Sequence, residues 1–543
     1  MKKLQITALS SLAKVYEDKV FGSELSRIDV AKNQEFNFQI ALFGEGNYTL
    51  EIESDIEGIL AYKVGQVPVK MINYEGCDDG RYERTEPGNF PDVLFPLEDN
   101  KITLEDGKYS ALWICAQPSN TLNLPVGEHK IEIKLRRGRC VSARASVSVF
   151  VYDCALDPQE LIFTQWFHND CIASVHGVEV LSEEHWALIK RYIALASAHG
   201  MNMLLTPVLT PPLDTEVGAE RPTVQLVKIT KNDESYEFDF SDLERYVKIA
   251  TECGISYFEI NHMFTQWGAE HAPKVMASVD GEEKRIFGWE TDSTSEEYAQ
   301  FLGALVPRII ECLEGLGISR KQIYFHVSDE PGKDNLEKYS TVSRILEPLI
   351  TGCNQIDALS NLEFYRAGVV KTPVVATSHI EHFIEDNVPN PWCYYCCAQN
   401  NTVVNRFMAM PSARCRMIGT QMFKYDIAGF LQWGYNFYYT QLSRRRELDP
   451  YTENDAGGAF PAGDAFSVYP YKDGAIPSLR QKVFKEALND HRLLSTLARV
   501  KGEAVAKALV DKIFGGDLTF KIYPIDEALY FALTKEALEL ITE

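Results

Sequence analysis

Two adjacent carboxylates, Asp329 and Glu330, follow a short apolar segment at residues 323–327 and precede Pro331. The β-branched and aromatic residues of this segment are typical of a buried parallel strand. Proline cannot donate to a sheet and directs the chain out of it. Acids at the carboxyl end of such a strand lie where α/β barrels carry catalytic groups. The alternative is that they cap a helix beginning near Lys333, but the pair favours catalysis.

The elements that would position this pair form a repeating pattern after residue 158. Helical patterns at 183–199, 241–252, 295–316 and 333–350 alternate with apolar segments. Eight such segments are strand candidates: 162–167, 202–206, 256–261, 322–327, 355–359, 374–377, 392–397 and 428–433. Strand–helix alternation predicts a parallel sheet, and eight units predict a (β/α)8 TIM barrel. We therefore expect a catalytic barrel domain over residues 158–500, closed by a helix at 477–498.

The flanking regions predict a multidomain α and β protein. Period-two alternation at 36–42, 48–52, 129–135 and 145–151 predicts an N-terminal β-sandwich over residues 1–157, ending at Asp157-Pro158. Residues 501–543 read as a small C-terminal helical tail. Residues 224–238 predict a hairpin inserted after the second barrel strand.

Polar and aromatic residues cluster where the predicted barrel strands end. Carboxylates and amides can orient sugar hydroxyls, while aromatic rings pack against sugar C–H faces. The cluster therefore predicts a carbohydrate site. Its candidate substrate-binding residues are Glu259, His262, Tyr395, Asn400, Trp433, Tyr435, Asn436 and, in a later loop, Asp464.

Several of these candidates, and two further histidines, also have a purely structural interpretation. Trp433 could plug the barrel, and aromatic residues at strand ends are often core residues. Asp464 could stabilise a turn, and Glu259 could pair with a barrel cation. His168, His262 and His326 could be structural histidines, which for His326, inside the strand, is the stronger interpretation. Only for Asp329 and Glu330 does the functional interpretation rest on more than the residue type.

A metal centre is the alternative to a sugar site. His262, Glu259 and Asp329 could converge as ligands, but the chain has no H-E-x-x-H spacing. Cys393, Cys396 and Cys397 form a C-x-x-C-C group without a second cysteine or histidine pair to complete a zinc site. We therefore expect neither a metal nor an organic cofactor.

Adjacent carboxylates restrict the mechanism. Ordinary retaining glycosidases hold two carboxyl groups roughly 5–5.5 Å apart across the scissile bond. Neighbouring Cα atoms are only about 3.8 Å apart, and their side chains diverge in a strand. Such a pair fits a substrate whose own 2-acetamido oxygen attacks the anomeric carbon, giving an oxazoline. One acid then protonates the leaving oxygen, and the other holds the acetamide N–H.

Five motifs in this order resemble glycoside hydrolase family 123, the β-N-acetylgalactosaminidases. The resemblance covers most of residues 160–480. The motifs are Phe-Gly-Trp at 287–289, His-Val-Ser-Asp-Glu-Pro at 326–331, Tyr-Tyr-Cys-Cys at 394–397, Gly-Phe-Leu-Gln-Trp-Gly-Tyr-Asn at 429–436 and Phe-Pro-Ala-Gly-Asp at 460–464.

The resemblance implies a β-sandwich followed by a barrel, and an exo-acting, retaining, substrate-assisted hydrolase that releases terminal β-linked N-acetylgalactosamine. It implies Glu330 as general acid/base and Asp329 as the residue that orients the acetamide. Trp433, Tyr395 and His262 would contact the sugar. Two other hypotheses stay open: a β-glycosidase acting on another sugar, and a non-catalytic carbohydrate-binding protein.

Charge and hydropathy limit the partners. The net charge of −23 argues against nucleic acids and anionic membranes, which both need basic patches. No apolar run reaches membrane-spanning length. Polar residues such as Gln5, Thr7 and Ser10 interrupt the apolar start, so we expect a cytoplasmic protein acting on an oligosaccharide or glycoconjugate. The sequence leaves a homo-oligomer open.

Overall fold

The computed structural model describes residues 4–116, 123–233 and 235–543. Residues 1–3, which begin the segment used for the cytoplasmic expectation, lie outside these ranges. That expectation stays a prediction. No helix among the described residues is both long and apolar enough to cross a bilayer.

The N-terminal region is a sandwich of two five-stranded sheets, as predicted. Its predicted strands are all present. In spatial order, one sheet contains Gln5–Ser10, Phe36–Phe43, Tyr109–Ala116, Ile59–Val69 and Gly88–Pro96. The other contains Arg27–Ala31, Cys140–Tyr152, Gly127–Arg137, Gly46–Glu53 and Lys101–Leu104. Alternate residues of both sheets form one apolar core, which includes Phe38, Ile40, Ile114, Ile133, Leu135 and Val149.

Eight parallel strands follow and form a nearly closed barrel. All eight strand predictions are confirmed. The strands, numbered here 1 to 8, are Ile162–Gln165, Met203–Thr206, Tyr257–Ile260, Ile323–Phe325, Asn354–Leu359, Thr372–Ala376, Trp392–Tyr394 and Gly429–Gln432.

Hydrogen bonding runs around the barrel except between strands 1 and 2. Asn202 bridges that seam. Its backbone N–H donates to the Phe163 carbonyl at 3.1 Å, and its side-chain oxygen accepts from the Phe163 N–H at 2.7 Å. The backbone and side chain of this one residue thus link strand 1 to the segment before strand 2, where the hydrogen-bond ladder is missing.

Helices surround the barrel and continue into the C-terminal tail. Those around the barrel are Asn169–His176, Glu183–Ala198, Ser241–Glu252, Glu296–Gly315, Leu336–Leu346, Leu362–Arg366, Ile380–Glu385, Ser412–Lys424 and Leu479–Lys501. The tail contains Glu503–Phe514 and Ala528–Thr542. The predicted helix at 333–350 is shorter than expected because Pro348 cannot continue it. The domain boundaries at 157 and 500 stay predictions.

The inserted hairpin is present, with strands at Lys228–Asn232 and Ser235–Asp239. A second hairpin, Val275–Val279 with Glu282–Phe287, joins it in a four-stranded sheet. Sequence reasoning missed this hairpin, although its turn carries a strong signal. Asp280 and Gly281 both have positive φ (55° and 80°), as an Asp-Gly hairpin turn requires.

Buried ion pairs connect the sandwich to the barrel. Arg480, on the last barrel helix, donates to both carboxylate oxygens of Asp92 at 2.8 and 2.9 Å. Arg414 similarly binds Asp79 at 2.9 and 3.1 Å. Both arginines are buried. The first pair holds strand Gly88–Pro96 of the sandwich against the barrel, and the second holds the loop at residues 70–87.

Candidate active site

Asp329 and Glu330 lie beyond strand 4, on a backbone extension that is hydrogen-bonded on both sides. On one side, the N–H groups of Phe264 and Trp267 donate to the carbonyls of Val327 and Asp329 at 3.1 and 2.9 Å. On the other side, the Glu330 N–H donates to the Ala358 carbonyl at 3.0 Å. The acid pair is therefore fixed at the carboxyl end of the barrel, as the sequence pattern suggests.

Glu330 occupies a left-handed conformation with φ of 42°. This conformation costs a non-glycine residue about 1–3 kcal/mol and persists only where the surroundings enforce it. Here the backbone bond to Ala358 and a 2.6 Å bond from the Tyr394 hydroxyl to Glu330 Oε1 enforce it. The left-handed turn interrupts the alternation that sends successive strand side chains to opposite faces.

Asp329 is the more buried of the two acids, with 7% of its surface exposed. Burial raises the pKa of Asp329 well above its ordinary value, and repulsion from Glu330 adds to the rise. Asp357 and Asp214 raise the pKa of Asp329 further, whereas His326 lowers it. The substrate-free site thus favours a proton on Asp329.

A buried hydrogen-bond network lies below the pair and centres on His326. His326 Nε2 contacts Glu259 Oε1 at 2.6 Å, and Nδ1 lies 3.4 Å from Asp357 Oδ1. All three residues are fully buried. Burial opposes the charged imidazolium, but the two carboxylates outweigh it and raise the pKa of His326 to about 9. The two carboxylates therefore favour the charged imidazolium form of His326.

Other buried groups fix the two carboxylates of the network. Glu259 accepts from the Trp166 indole at 2.8 Å and from the Thr164 hydroxyl at 2.7 Å. Asp357 accepts from the backbone N–H groups of Val327 and Ser328 at 3.1 and 3.2 Å. It also accepts from the hydroxyl of Tyr339. Glu259 is thus placed beneath the site, with its oxygens turned toward the barrel interior.

His262 stacks on His326, with ring centroids 4.2 Å apart. Both of its ring nitrogens are buried without a hydrogen-bond partner in the described chain. Burial lowers the pKa of His262 well below its ordinary value, and the charge on His326 acts in the same direction. His262 is accordingly a neutral ring below the mouth.

One group in the described part of the chain could offer three metal ligands within 4.8 Å: His262, His326 and Asp357. It contains neither Glu259 nor Asp329, which sequence reasoning had combined with His262. His326 Nε2 and both oxygens of Asp357 already have partners in the network above. His326 Nδ1 faces Asp357 Oδ1 at ion-pair distance, 3.4 Å, without a hydrogen bond among the described residues. We therefore interpret the group as a hydrogen-bonded cluster. Of the C-x-x-C-C cysteines, Cys393 is buried in strand 7 and Cys396 donates to Gln399 at 3.3 Å.

Trp433 and Asp464 form a second wall of the mouth. The Trp433 indole donates to Asp464 Oδ2 at 2.9 Å, while its ring packs on Phe437 and Phe460. Trp433 is partly exposed, and Asp464 is buried. Burial raises the pKa of Asp464 to about 7, against the opposing charge of Arg406. This pair combines an aromatic surface with a carboxyl group.

Tyr395 and Tyr435 lie on the outer side of the barrel wall, away from the acid pair. Tyr395 is buried against Phe430, and its hydroxyl has no partner among the described residues. Tyr435 is fully buried and donates to the Tyr192 carbonyl at 3.1 Å. The tyrosine that reaches the mouth is Tyr394, because adjacent strand residues face opposite sides.

Asn436 and Asn400 make backbone contacts. Asn436 accepts from the His168 N–H at 2.9 Å and donates to the His168 carbonyl at 3.0 Å. Asn400 donates to the Cys397 carbonyl at 3.1 Å, and its own carbonyl accepts from Asn73 at 3.0 Å. Their side chains therefore shape the loops around the mouth.

Sequence reasoning did not select Tyr394, His326, Asp357 or Asp214 as site residues. Asp357 had a detectable signal, since it is an acid inside an apolar strand segment. Asp214 had none: it lies in a long loop and reaches the mouth only through the fold. Burial raises the pKa of Asp214 to about 6, and Arg221 opposes the rise.

An eight-stranded barrel with two acids at its carboxyl end and an aromatic wall is compatible with a hydrolase of the glycoside class. The catalytic-domain model of glycoside hydrolase 123 matches residues 166–497, more than half of the chain. The chain therefore belongs to glycoside hydrolase family 123 and is a glycoside hydrolase with a carbohydrate substrate.

A solved structure shows the same fold. A family 123 glycoside hydrolase from Clostridium perfringens, studied for glycolipid glycan hydrolysis, superposes with a TM-score of 0.71 at 14% identity, covering 99% of this chain and 97% of that one. A family 39 glycoside hydrolase from Bacteroides cellulosilyticus superposes with a TM-score of 0.32 at 10% identity, covering 85% of this chain and 81% of that one. A Bacteroides ovatus GH5 xyloglucanase superposes with a TM-score of 0.29 at 8% identity, covering 86% of this chain and 98% of that one. The last two scores are too low to inform fold or function. No curated protein matches the chain.

Proposed function

We propose that this chain is an exo-acting hydrolase that releases terminal β-linked N-acetylgalactosamine with retention of configuration. The observation that carries the proposal is the placement of Asp329 and Glu330, successive residues at one mouth with a left-handed turn at Glu330. Successive residues are poorly placed to act from opposite sides of a glycosidic bond. A substrate that brings its own nucleophile removes that requirement.

In the first step the acetamide oxygen of the substrate attacks the anomeric carbon. The bond from that carbon to the leaving oxygen breaks, and Glu330 gives its proton to this oxygen. The product is a cyclic oxazolinium ion, whose N–H donates to Asp329. Asp329 stabilises the positive charge that develops on the acetamide, an electrostatic contribution realised mainly in the transition state.

In the second step water attacks the anomeric carbon from the side that the aglycone has left. Glu330 accepts a proton from this water, and the ring opens to restore the acetamide. Two inversions at one carbon give net retention. Asp329, Glu330, water and the substrate's own amide supply every group that these steps need.

The buried position of Asp329 bears on where the proton resides. The mechanism needs the proton on Glu330, whereas the raised pKa of Asp329 favours it on Asp329 when the site is empty. Two coupled acids share protons as a pair. An acetamide N–H that donates to Asp329 stabilises its charged form and moves the proton to Glu330. Substrate binding would thus prepare the acid.

For the remaining sugar contacts we propose Trp433 as the stacking surface and Asp464 as a hydroxyl partner. Tyr394 orients the carboxyl group of Glu330. His262 and Glu259 lie beneath the mouth, where both contact His326. The choice of N-acetylgalactosamine and the exo mode are carried over from the family resemblance. The study of the Clostridium perfringens relative concerns glycolipid glycans, which makes such glycans a reasonable natural substrate class to assay.

Hydrolysis of three 4-nitrophenyl glycosides tests the proposal: the N-acetyl-β-galactosaminide, the N-acetyl-β-glucosaminide and the β-galactoside. We expect cleavage of the first, with a lower rate in the Glu330→Gln control. Similar rates on the galactoside would favour a glycosidase without an acetamide requirement. Binding without turnover of any glycoside, unaffected by changes at Asp329 and Glu330, would favour a carbohydrate-binding protein.

A further inference from the structure

His326 is a buried histidine between two buried carboxylates, three residues before Asp329. Its ring contacts Glu259 at 2.6 Å and Asp357 at 3.4 Å, and no part of it is exposed. A neutral imidazole would leave two buried carboxylates facing a group that cannot neutralise them. Such uncompensated buried charge is strongly destabilising. The geometry therefore favours His326 as the imidazolium, the form that lies within ion-pair distance of both carboxylates.

The segment between His326 and Asp329 is fixed. The Met263 and Phe264 N–H groups donate to the carbonyls of His326 and Val327, and the Ser328 hydroxyl donates to the Thr265 carbonyl at 2.8 Å. Asp357 accepts from the N–H groups of both Val327 and Ser328. The imidazolium thus has a fixed position relative to the acid pair.

The charged groups that act on Asp329 are Glu330, Asp357, Asp214 and His326. The first three are carboxylates, and each of them favours a protonated Asp329. His326 is the cation in this set, and its neighbour His262 is held neutral by burial. The balance between a proton on Asp329 and a proton on Glu330 therefore depends on the charge at His326.

We propose that His326 is a positioning residue whose buried positive charge biases the proton shared by Asp329 and Glu330 toward Glu330. This inference rests on the proposed function, because it assigns the catalytic proton to Glu330. No bond other than the O–H bonds of the pair changes. The proton leaves Asp329 Oδ and joins Glu330 Oε, and the imidazolium keeps its own proton throughout. His326 acts through Asp329 and does not contact the sugar.

The pH dependence of kcat/KM in His326→Gln tests the proposal. An opposite charge close to a carboxyl shifts its titration by roughly 1–3 pH units. We therefore expect the acid limb of the profile to move up by about one unit, with a lower maximum. His199→Gln is the matched control, a buried histidine at the end of helix Glu183–Ala198, and should leave the limb in place. A uniform loss of activity with an unmoved limb would overturn the proposal.

Glu259→Gln provides a second variant if His326→Gln does not fold. The amide still accepts from the Trp166 indole, but the imidazolium loses one of its two partner charges. His326 should then lose its proton at lower pH, so the alkaline limb of kcat/KM should move down. An alkaline limb identical to that of the wild type would contradict the proposed role of the charge.

Carbon-13 NMR separates failure of this inference from failure of the proposed function. The carboxyl resonance of Asp329, assigned with Asp329→Asn, should titrate about one unit higher in His326→Gln than in the wild-type chain. This measurement needs no turnover. If the wild type cleaves no N-acetylgalactosaminide, the substrate assignment fails, while the titration still decides whether His326 controls Asp329. An unchanged titration would overturn the inference.

Discussion

The Tyr394 hydroxyl donates a 2.6 Å hydrogen bond to Glu330 Oε1, joining the ends of barrel strands 7 and 4. Glu330 is otherwise held by its strained backbone, so this bond fixes the direction of its carboxyl group. Tyr394 is buried, which strengthens a bond to a charged acceptor. The orientation of the proposed general acid therefore depends on a tyrosine three strands away around the barrel.

Replacing Tyr394 with Phe should lower kcat with little change in KM. A hydrogen bond to a charged group contributes about 1.5–3 kcal/mol, which corresponds to a roughly ten- to hundredfold loss. Steady-state kinetics on the 4-nitrophenyl N-acetylgalactosaminide would measure it. Tyr395→Phe is the matched control, since that buried hydroxyl has no partner in the described chain. Equal losses in both variants would contradict the role assigned to Tyr394.

The loss of kcat/KM caused by substituting each of the two acids should depend differently on the leaving group. Glu330→Gln removes the general acid, worth roughly 10²–10⁴-fold, so the loss should be large for disaccharides and much smaller for a 2,4-dinitrophenyl glycoside. Asp329→Asn removes stabilisation of the acetamide, so the loss should be large for both substrates. Comparing kcat/KM across this leaving-group series tests the assignment. A stronger dependence on the leaving group in Asp329→Asn would reverse the two roles.

The Asp464 carboxyl predicts a pH dependence of stability. Burial raises its pKa to about 7 in the folded chain, above the usual value of about 3.9. The folded state therefore binds more protons than the unfolded state between these values. Stability attributable to Asp464 is present at pH 4 and is lost as the pH rises to about 7.

Asp464→Asn should remove this loss, because the amide oxygen still accepts from Trp433 without becoming charged. Melting temperatures measured from pH 4 to 8 should show the variant gaining on the wild type as the pH rises. A difference in melting temperature that does not change with pH would rule out an ionising Asp464.

The buried pair of Arg480 and Asp92 should contribute strongly to folding. Asp92→Ala leaves a buried guanidinium without its partner, and breaking such a pair costs about 3–5 kcal/mol. Denaturant unfolding would measure the loss. Glu98→Ala is the control, because Glu98 pairs with Lys472 at the surface, where such pairs contribute about 0–1 kcal/mol. Equal losses of unfolding free energy in the two variants would contradict a strong contribution of the Arg480–Asp92 pair to stability.

The barrel could be predicted because its strands are buried on both faces and therefore read as continuous apolar segments. The hairpin at Val275–Phe287 was missed although its Asp-Gly turn was readable. Asp329 and Glu330 could be singled out because two adjacent acids next to a proline break the pattern of a strand. The residues around them depend on information that one sequence does not contain.

Tyr394 and Tyr395 show why. Successive residues of a strand face opposite sides, so a shift of one residue moves a side chain from the mouth to the outer wall. Residue type alone does not distinguish two adjacent tyrosines. His326, Glu259 and Asp357 come from three strands, and their contact exists only once the barrel has formed. Asn436 is a favourable residue type for binding a sugar, yet the fold uses both ends of its amide on the backbone of His168.

The most direct test of the account is the rate of hydrolysis of 4-nitrophenyl β-galactosaminides whose N-acetyl group carries zero, one, two or three fluorines. Fluorine withdraws electrons from the acetamide oxygen and weakens it as a nucleophile, while the leaving group stays the same. If this oxygen attacks the anomeric carbon, kcat/KM should fall steeply with each added fluorine. Rates that do not depend on fluorination would contradict substrate assistance and the roles assigned to Asp329 and Glu330.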